Sequence, residues 1–177
     1  MSKISHIHPL LNRLLTHVLK HNAIIRVSDE LNHVFRDFKD SILSDVDFIV
    51  EGVNSIFFIE VKNSNFRGVD NPKAFKLLDS DLIRVLAKKY FDSFHYVRGL
   101  GKTLGKQKIY ICIIEAKNSD SVTRKSLRNR LKDRLPFNLQ KIFSENMIDE
   151  VRVWSFDEWN EYLPQFPLSR LQPPLKS

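Results

Sequence analysis

The segment of residues 45–62, DVDFIVEGVNSIFFIEVK, restricts the fold of this chain more than any other. Its first part, DVDFIV, alternates polar and apolar residues, which predicts a half-buried β-strand over residues 45–50. The residues GVNS (52–55) favour a turn, and the apolar run IFFIEVK (56–62) predicts a second strand. Two strands joined by so short a connection are expected to form a β-hairpin.

The position of the turn determines which charged residues of the hairpin meet. A turn centred between Val53 and Asn54 places Asp47 directly opposite Glu60. Opposed residues have Cβ atoms about 5 Å apart, and two carboxylates at that distance repel unless one is protonated or a cation lies between them. Lys62 shares the face of Glu60 and supplies one positive charge. Because hard divalent cations prefer oxygen ligands, the hairpin predicts a site for Mg²⁺ or Mn²⁺ beside a lysine.

A second Glu-x-Lys, in IYICIIEAKNS (109–119), lacks such a partner. No Asp or Glu occurs between Ser93 and Ile114, so no local strand can bring a carboxylate opposite Glu115. We therefore expect Glu115 and Lys117 to mark the point where a buried strand reaches solvent. Cys112, the single cysteine, is expected to be a small core residue.

The arrangement of Asp47, a short hairpin and then Glu60-x-Lys62 resembles the PD-(D/E)xK nuclease superfamily, also called restriction-endonuclease-like. The predicted order of helix, strand, strand, helix and strand over residues 7–117 is similar to that family's core. Val46 stands where the family's name has proline. The resemblance implies an α/β fold in which helices flank a mixed central sheet, within a single domain.

The resemblance also implies an activity and a role for each residue. The activity is metal-dependent hydrolysis of phosphodiester bonds, and Asp47, Glu60 and the main-chain carbonyl of Val61 would bind Mg²⁺ or Mn²⁺. Lys62 would orient or deprotonate the attacking water and offset charge on the phosphate. Glu30, on the helix predicted before the hairpin, is a candidate for a further catalytic carboxylate. Its alternative role is that of a first-turn acid that favours the helix dipole.

The charge of the chain favours a polyanionic partner. The formal net charge is +7 and the pI is about 9.5. A basic helix is predicted over residues 122–135, with a narrow stripe formed by Leu127, Leu131 and Leu135, and a basic loop, RGLGKTLGK, occupies residues 98–106. We expect both to contact nucleic acid, with DNA favoured over RNA, although the helix could instead be a solvated surface. The predicted nucleic-acid-binding residues are Arg98, Lys102, Lys106, Arg124, Lys125, Arg128, Arg130 and Arg134.

The remaining elements are predicted from apolar spacing. Helices are expected over about 7–21, 29–38 and from Pro72 to Tyr90, the last with Val85 on its apolar face. The run AIIRV (23–27) is either a strand or part of a turn. A late strand over 151–154 and a short helix from residue 156 complete the prediction.

The chain is predicted to form one domain over residues 1–163, followed by a proline-rich, extended tail over 164–177. No export signal and no apolar run of the roughly 18 residues needed for a membrane span are evident. With a single cysteine, a cytoplasmic protein in a reducing compartment is expected. Besides nucleic acid, the candidate partners are a second copy of the chain, in a homodimer, or a separate targeting protein. The alternative function is a catalytically inactive nucleic-acid-binding or assembly subunit with the same fold.

Overall fold

A mixed β-sheet forms the centre of the structure, a computed structural model that describes residues 24–27, 44–63, 76–164 and 167–168. Five strands lie side by side in chain order within the described part. The first three pair antiparallel, whereas the third, fourth and fifth run parallel. The strands are β1 (Ile24–Val27), β2 (Phe48–Glu51), β3 (Ser55–Asn63), β4 (Gln107–Glu115) and β5 (Glu150–Trp154).

Helices make the two crossovers that parallel strands require. Helix α1 (Ser80–Gly99) leads from β3 to β4, helix α2 (Ser121–Arg134) leads from β4 to β5, and helix α3 (Phe156–Tyr162) follows β5. A short 3₁₀-helix, Leu139–Ile142, precedes β5. The fold is therefore mixed α/β, as the sequence predicted. None of the helices that the structure describes is both long and apolar enough to span a membrane.

The two faces of the sheet bury different helices. Successive side chains of a strand point to opposite faces. Phe58, Tyr110 and Cys112 lie in the core on the side of α1 and α2. Ile59 and Ile111 lie in a second core with residues of α3. Because it alternates with Ile59, the side chain of Glu60 belongs to the face covered by α1.

The predicted hairpin and its register are confirmed. Phe48 pairs with Ile59 and Val50 pairs with Phe57. The Gly52 N–H donates to the Ser55 carbonyl at 2.8 Å and closes the turn. The run AIIRV could have been either a strand or part of a turn. It contains strand β1, which pairs with β2.

Three predictions about individual elements are wrong. The long helix begins at Ser80 rather than near Pro72, because the Asp79 side chain accepts from the Asp81 N–H and caps the helix there. Val85 was predicted on the apolar face but is 40% exposed, whereas Leu86 and Tyr90, predicted on the same face, are buried together with Ile83 and Ala87. Strand β2 begins at Phe48 rather than at residue 45, because the preceding residues are bonded to α1.

Glu115 does not reach solvent as predicted. Its side chain is buried, and its Oε1 accepts from the Phe156 N–H at 3.0 Å, because the first turn of α3 packs over the end of β4. Lys117 is exposed, as expected for the end of the strand. The predicted helices over 7–21 and 29–38, and with them Glu30, lie outside the described residues.

The region predicted as an extended tail makes at least one contact with the domain. The Leu168 N–H donates to Asn160 Oδ1 at 2.7 Å, and Asn160 Nδ2 donates to the Leu168 carbonyl at 2.9 Å. Leu168 also packs against the core on the α3 side. Most of residues 165–177 lie outside the described part of the chain.

Helix α1 holds the residues that precede β2. Asp92 Oδ2 accepts from the Ser44 N–H at 2.7 Å, and Lys88 pairs with the same carboxylate. Ser93 Oγ, one residue further along α1, accepts from the Val46 N–H at 3.0 Å in a buried position. The helix therefore fixes the backbone on the N-terminal side of Asp47.

Replacing Ser93 with Ala tests this attachment. Loss of the hydroxyl leaves the buried Val46 N–H without its acceptor, so we expect the free energy of unfolding to fall by about 1–3 kcal/mol. Urea denaturation followed by tryptophan fluorescence measures this change. Ser80→Ala, at the exposed start of the same helix, is the matched control. Equal stability of the two variants would contradict the role of Ser93.

Candidate active site

A buried carboxylate, that of Glu60, lies at the centre of a charged cluster on β3. Its side chain has 0% exposure. Lys62 Nζ lies 2.6 Å from Glu60 Oε1, and Lys89 Nζ lies 2.9 Å from Oε1 and 3.0 Å from Oε2. A buried charge requires paired partners, and this one has two.

Lys89 is the residue of this cluster that sequence reasoning missed. It lies on α1, far from the hairpin in sequence, and its side chain is only 19% exposed. Its position in the cluster depends on how α1 crosses the sheet. The spacing of apolar residues along a helix does not predict this crossing, and a lysine on α1 could equally have pointed into solvent.

Both oxygens of Glu60 are compensated by lysine ammonium groups. Lys62 and Lys89 lie within ion-pair distance of Oε1, and Oε2 accepts from Lys89. Two cations from different elements, β3 and α1, therefore hold the carboxylate.

Asp47 lies next to Glu60, as the predicted register requires. The last pair of the β2–β3 ladder is Phe48 with Ile59, so Asp47 and Glu60 occupy the next positions beyond it. Asp47 Oδ2 accepts from the Val61 N–H at 2.7 Å. The other oxygen, Oδ1, accepts no hydrogen bond from the residues described. Asp47 thus binds the edge of β3 with one oxygen and leaves the other available.

The main-chain carbonyl of Val61 faces the same side as Asp47. In a strand, the N–H and C=O of one residue point towards the same neighbour. Because the Val61 N–H points to Asp47, its carbonyl also lies on that side, beyond the last β2–β3 pair. The predicted ligand atoms of Asp47, Glu60 and Val61 therefore occupy one end of the hairpin.

The charges of the cluster shift one another's pKa values. Burial raises the pKa of Glu60, and the nearby Asp47 raises it further against the opposing effect of Lys62 and Lys89. Burial would lower the pKa of Lys89, but the ion pair with Glu60 outweighs it and the pKa is raised. Burial also raises the pKa of Asp45, which lies near Lys89 and Asp47. These groups therefore form one electrostatic unit.

The donor set is compatible with a divalent cation. Among the described residues no group of three or more Asp, Glu, His or Cys side chains could hold a metal ion. Mg²⁺, however, is commonly bound through only one or two carboxylates together with water. Glu60 Oε1, Asp47 Oδ1 and the Val61 carbonyl are oxygens of the kind that it accepts. Glu30, the third predicted carboxylate, lies outside the described residues.

Four of the predicted nucleic-acid-binding residues are engaged within the protein. Lys102 and Lys106 bind the two oxygens of Glu51 at 2.7 and 2.8 Å, and these bonds lower the pKa of that carboxyl. Arg124 donates to both oxygens of Glu158 at 2.9 and 3.0 Å. Arg130 donates to a main-chain carbonyl of the segment that precedes α1.

The other four predicted contacts have no ion pair with a described residue. Arg98, Lys125 and Arg134 are exposed. Arg128 is partly buried, and its Nε has no hydrogen-bond partner in the described structure. The predicted nucleic-acid-binding set therefore divides into internally paired and unpaired cations.

Cys112, which pairs with Glu60 across the sheet, is not a candidate nucleophile. It is fully buried, and burial raises the pKa of its thiol to about 12. The thiol stays protonated at neutral pH, whereas the thiolate is the reactive form. Its role as a core residue is confirmed.

Comparison with known proteins gives no assignment: no protein-family model, no curated protein and no solved structure matches this chain.

Stability measured against pH tests the environment of Glu60. A carboxyl whose pKa is raised on folding binds its proton more tightly in the native state. We expect the stability difference between wild type and Glu60→Gln to decline as pH rises from the ordinary value of 4.5 through the raised pKa. Urea titrations over about pH 4 to 8 measure this difference.

Glu51→Gln is the control with the opposite sign. The pKa of Glu51 is lowered, so its contribution to stability is present above its ordinary value of 4.5 and is lost as pH falls through the lowered pKa. The difference between wild type and this variant is therefore expected to grow as pH rises. A Glu60 difference that also grew with pH would contradict the raised pKa.

Proposed function

We propose that this protein is a metal-dependent nuclease of the PD-(D/E)xK type that hydrolyses phosphodiester bonds, with DNA favoured over RNA. The observation that carries the proposal is the buried Glu60 carboxylate, which lies beside Asp47 and Lys62 at the end of the hairpin. A carboxylate pair and a lysine at the end of a hairpin provide the ligands and the positive charge that phosphodiester hydrolysis requires.

The order of elements supports a restriction-endonuclease-like fold. Strands β2 and β3 form the antiparallel hairpin, α1 crosses the sheet, and β4 returns parallel to β3. This order agrees with the strand, strand, helix and strand expected for the core. It also brings α1 over the face of the sheet that carries Glu60.

The protein groups have separable roles in the proposed reaction. Asp47, Glu60 and the Val61 carbonyl would hold Mg²⁺ or Mn²⁺, which when bound would supply Lewis-acid stabilisation of phosphate charge and a lower pKa for water. The side chain of Lys62 is 27% exposed and its ammonium lies next to Glu60, which places a positive charge between the carboxylate and solvent. It would orient the attacking water and offset the charge that develops on the phosphate.

Lys89 is proposed as a positioning residue. It contacts both oxygens of Glu60 from α1 and would hold the carboxylate in one orientation. Because it acts through Glu60, its removal would weaken metal binding before it affected any step at the phosphate. Residues that orient metal ligands typically contribute about 10- to 100-fold to metal affinity or activity.

A binding subunit without catalytic activity is the second candidate. The ion pairs of Glu60 with Lys62 and Lys89 neutralise the carboxylate without a metal. Among the described residues only Asp47 and Glu60 supply carboxylates to the proposed metal site. The ion pairs of Glu60 with the two lysines are the observation that favours this second candidate, a protein that keeps the fold and binds nucleic acid without cutting it.

Cleavage of a substrate panel tests the proposed activity. Single-stranded, double-stranded and branched DNA and RNA are incubated with Mg²⁺, Mn²⁺ or EDTA. We expect cleavage only with metal, and a loss of about 100-fold or more in Glu60→Ala and Lys62→Ala, because each removes a group that acts on the reacting atoms. Lys117→Ala, from the exposed end of the second Glu-x-Lys, is the matched control and should retain full activity.

The panel also separates the two candidate functions. Cleavage in EDTA, or equal cleavage by wild type and Glu60→Ala, would refute the proposed site. Isothermal calorimetry with Mn²⁺ adds an independent readout, since uptake that disappears in both Asp47→Asn and Glu60→Gln requires the metal site. Binding of nucleic acid without cleavage or metal uptake would establish the binding subunit instead.

A further inference from the structure

A cleft of about 460 Å³ lies beside β5, the edge strand of the described sheet. Residues of β5, of the first half of α2 and of α3 line it. It belongs neither to the Glu60 cluster nor to the β2–β3 hairpin, because β4 separates β5 from β3. The side chains in the cleft combine positive charge with aromatic rings.

The carboxylates of the cleft are already paired, which leaves its positive charge in excess. Glu158 accepts from Arg124 at 2.9 and 3.0 Å, and Glu150 accepts from Arg152 at 2.6 and 2.8 Å. Lys125 and Arg128 also line the cleft, and neither forms an ion pair with a described residue.

Arg128 gives the strongest indication of a missing ligand. Its Nε is buried yet has no hydrogen-bond partner in the described part of the chain. A buried donor without an acceptor is unfavourable, and the same guanidinium belongs to a residue that lines the cleft, where an anion would compensate its charge. Arginine binds phosphate oxygens through its planar set of donors.

An aromatic surface lies beside these cations. The rings of Trp154 and Tyr162 are stacked, with centroids 5.2 Å apart and planes inclined by 10°. The Arg152 guanidinium lies over the Trp154 ring at 5.0 Å and helps to fix it. Tyr162 itself is 62% exposed, so its ring offers a flat surface on a rigid support.

We propose that this cleft binds a nucleotide of a single-stranded nucleic acid, with its phosphate at Arg128 and Lys125 and its base stacked on Tyr162. Unpaired cations beside an exposed, supported ring match the two chemical features of a nucleotide. A base within a duplex is stacked on its neighbours and cannot offer its face to Tyr162, which is why a single strand is the expected ligand.

The register of the sheet relates the cleft to the Glu60 cluster. Glu60 pairs with Cys112, and Cys112 pairs with Val153, which lines the cleft. Two strand spacings separate Glu60 from Val153, or about 10 Å. The inference rests on the proposed function for the class of partner, and it adds the single-stranded form of that partner.

Binding in EDTA tests the cleft apart from cleavage. The probes are a fluorescently labelled oligothymidylate and a labelled DNA duplex, titrated with the full chain. Tyr162→Ala is expected to weaken oligothymidylate binding about tenfold, which is typical for loss of one stacked base. Tyr162→Phe keeps the ring and should bind like wild type. Phe143→Ala removes an exposed ring outside the cleft and should also have no effect.

The phosphate contact is tested by salt dependence. Arg128→Gln is expected to lower the slope of log K against log salt by roughly 0.7, the value for one phosphate contact of a single strand. Arg84→Gln should leave the slope unchanged because Arg84 lies on α1 and does not line the cleft. Circular dichroism on every variant verifies that each is folded.

Two results would overturn the proposal. One is that Tyr162→Ala binds oligothymidylate as tightly as wild type. The other is that Tyr162→Ala loses as much affinity for the duplex as for oligothymidylate. Stacking of an unpaired base on Tyr162 cannot explain either result. Because EDTA prevents the proposed cleavage, failure of this test leaves the Glu60 site untouched. A chain that cuts nothing but binds oligothymidylate through Tyr162 would refute the nuclease and retain the cleft.

Discussion

The ion pairs of the buried Glu60 carboxylate are the interaction on which the rest of the site depends. Removing a charge from water costs several kcal/mol, and only well-placed partners offset it. Lys62 is provided by the same strand face, two residues further along, whereas Lys89 is provided by α1. The sheet therefore needs α1 in one position for its own electrostatic balance, and the same position shields Glu60 from solvent.

A single face of α1 organises both halves of the hairpin. Lys89, Asp92 and Ser93 are spaced three and four residues apart, so they lie on one side of the helix. Lys89 contacts Glu60 on β3, while Asp92 and Ser93 bind the residues before β2. Between these attachments Asp47 bridges to the Val61 N–H. The helix thus fixes the relative positions of the two carboxylates, which a hairpin alone would leave free to twist.

Turn position and strand alternation were enough to predict the hairpin, but they could not predict contacts between elements that are distant in sequence. Turn position and strand alternation give the pairing of Phe48 with Ile59, and hence the proximity of Asp47 to Glu60. Lys89 could not be found in this way, because its role depends on the crossing of α1 over the sheet. The basic loop shows the same limit. Net charge counts every lysine alike, yet Lys102 and Lys106 are paired with Glu51.

The two Glu-x-Lys sequences show how position in a sheet decides the chemistry of a side chain. Glu115 ends a central strand, and the first turn of α3 lies over it, so the Phe156 N–H meets its carboxylate. Glu60 lies one position beyond the last β2–β3 pair, and no backbone N–H of the described residues donates to its carboxylate. The ammonium groups of Lys62 and Lys89 compensate it instead. A backbone N–H is a permanent partner, whereas the partly exposed Lys62 side chain can move away from Oε1 while Lys89 stays bonded to Oε2. Of the two carboxylates, Glu60 is therefore the one that we propose as a metal ligand.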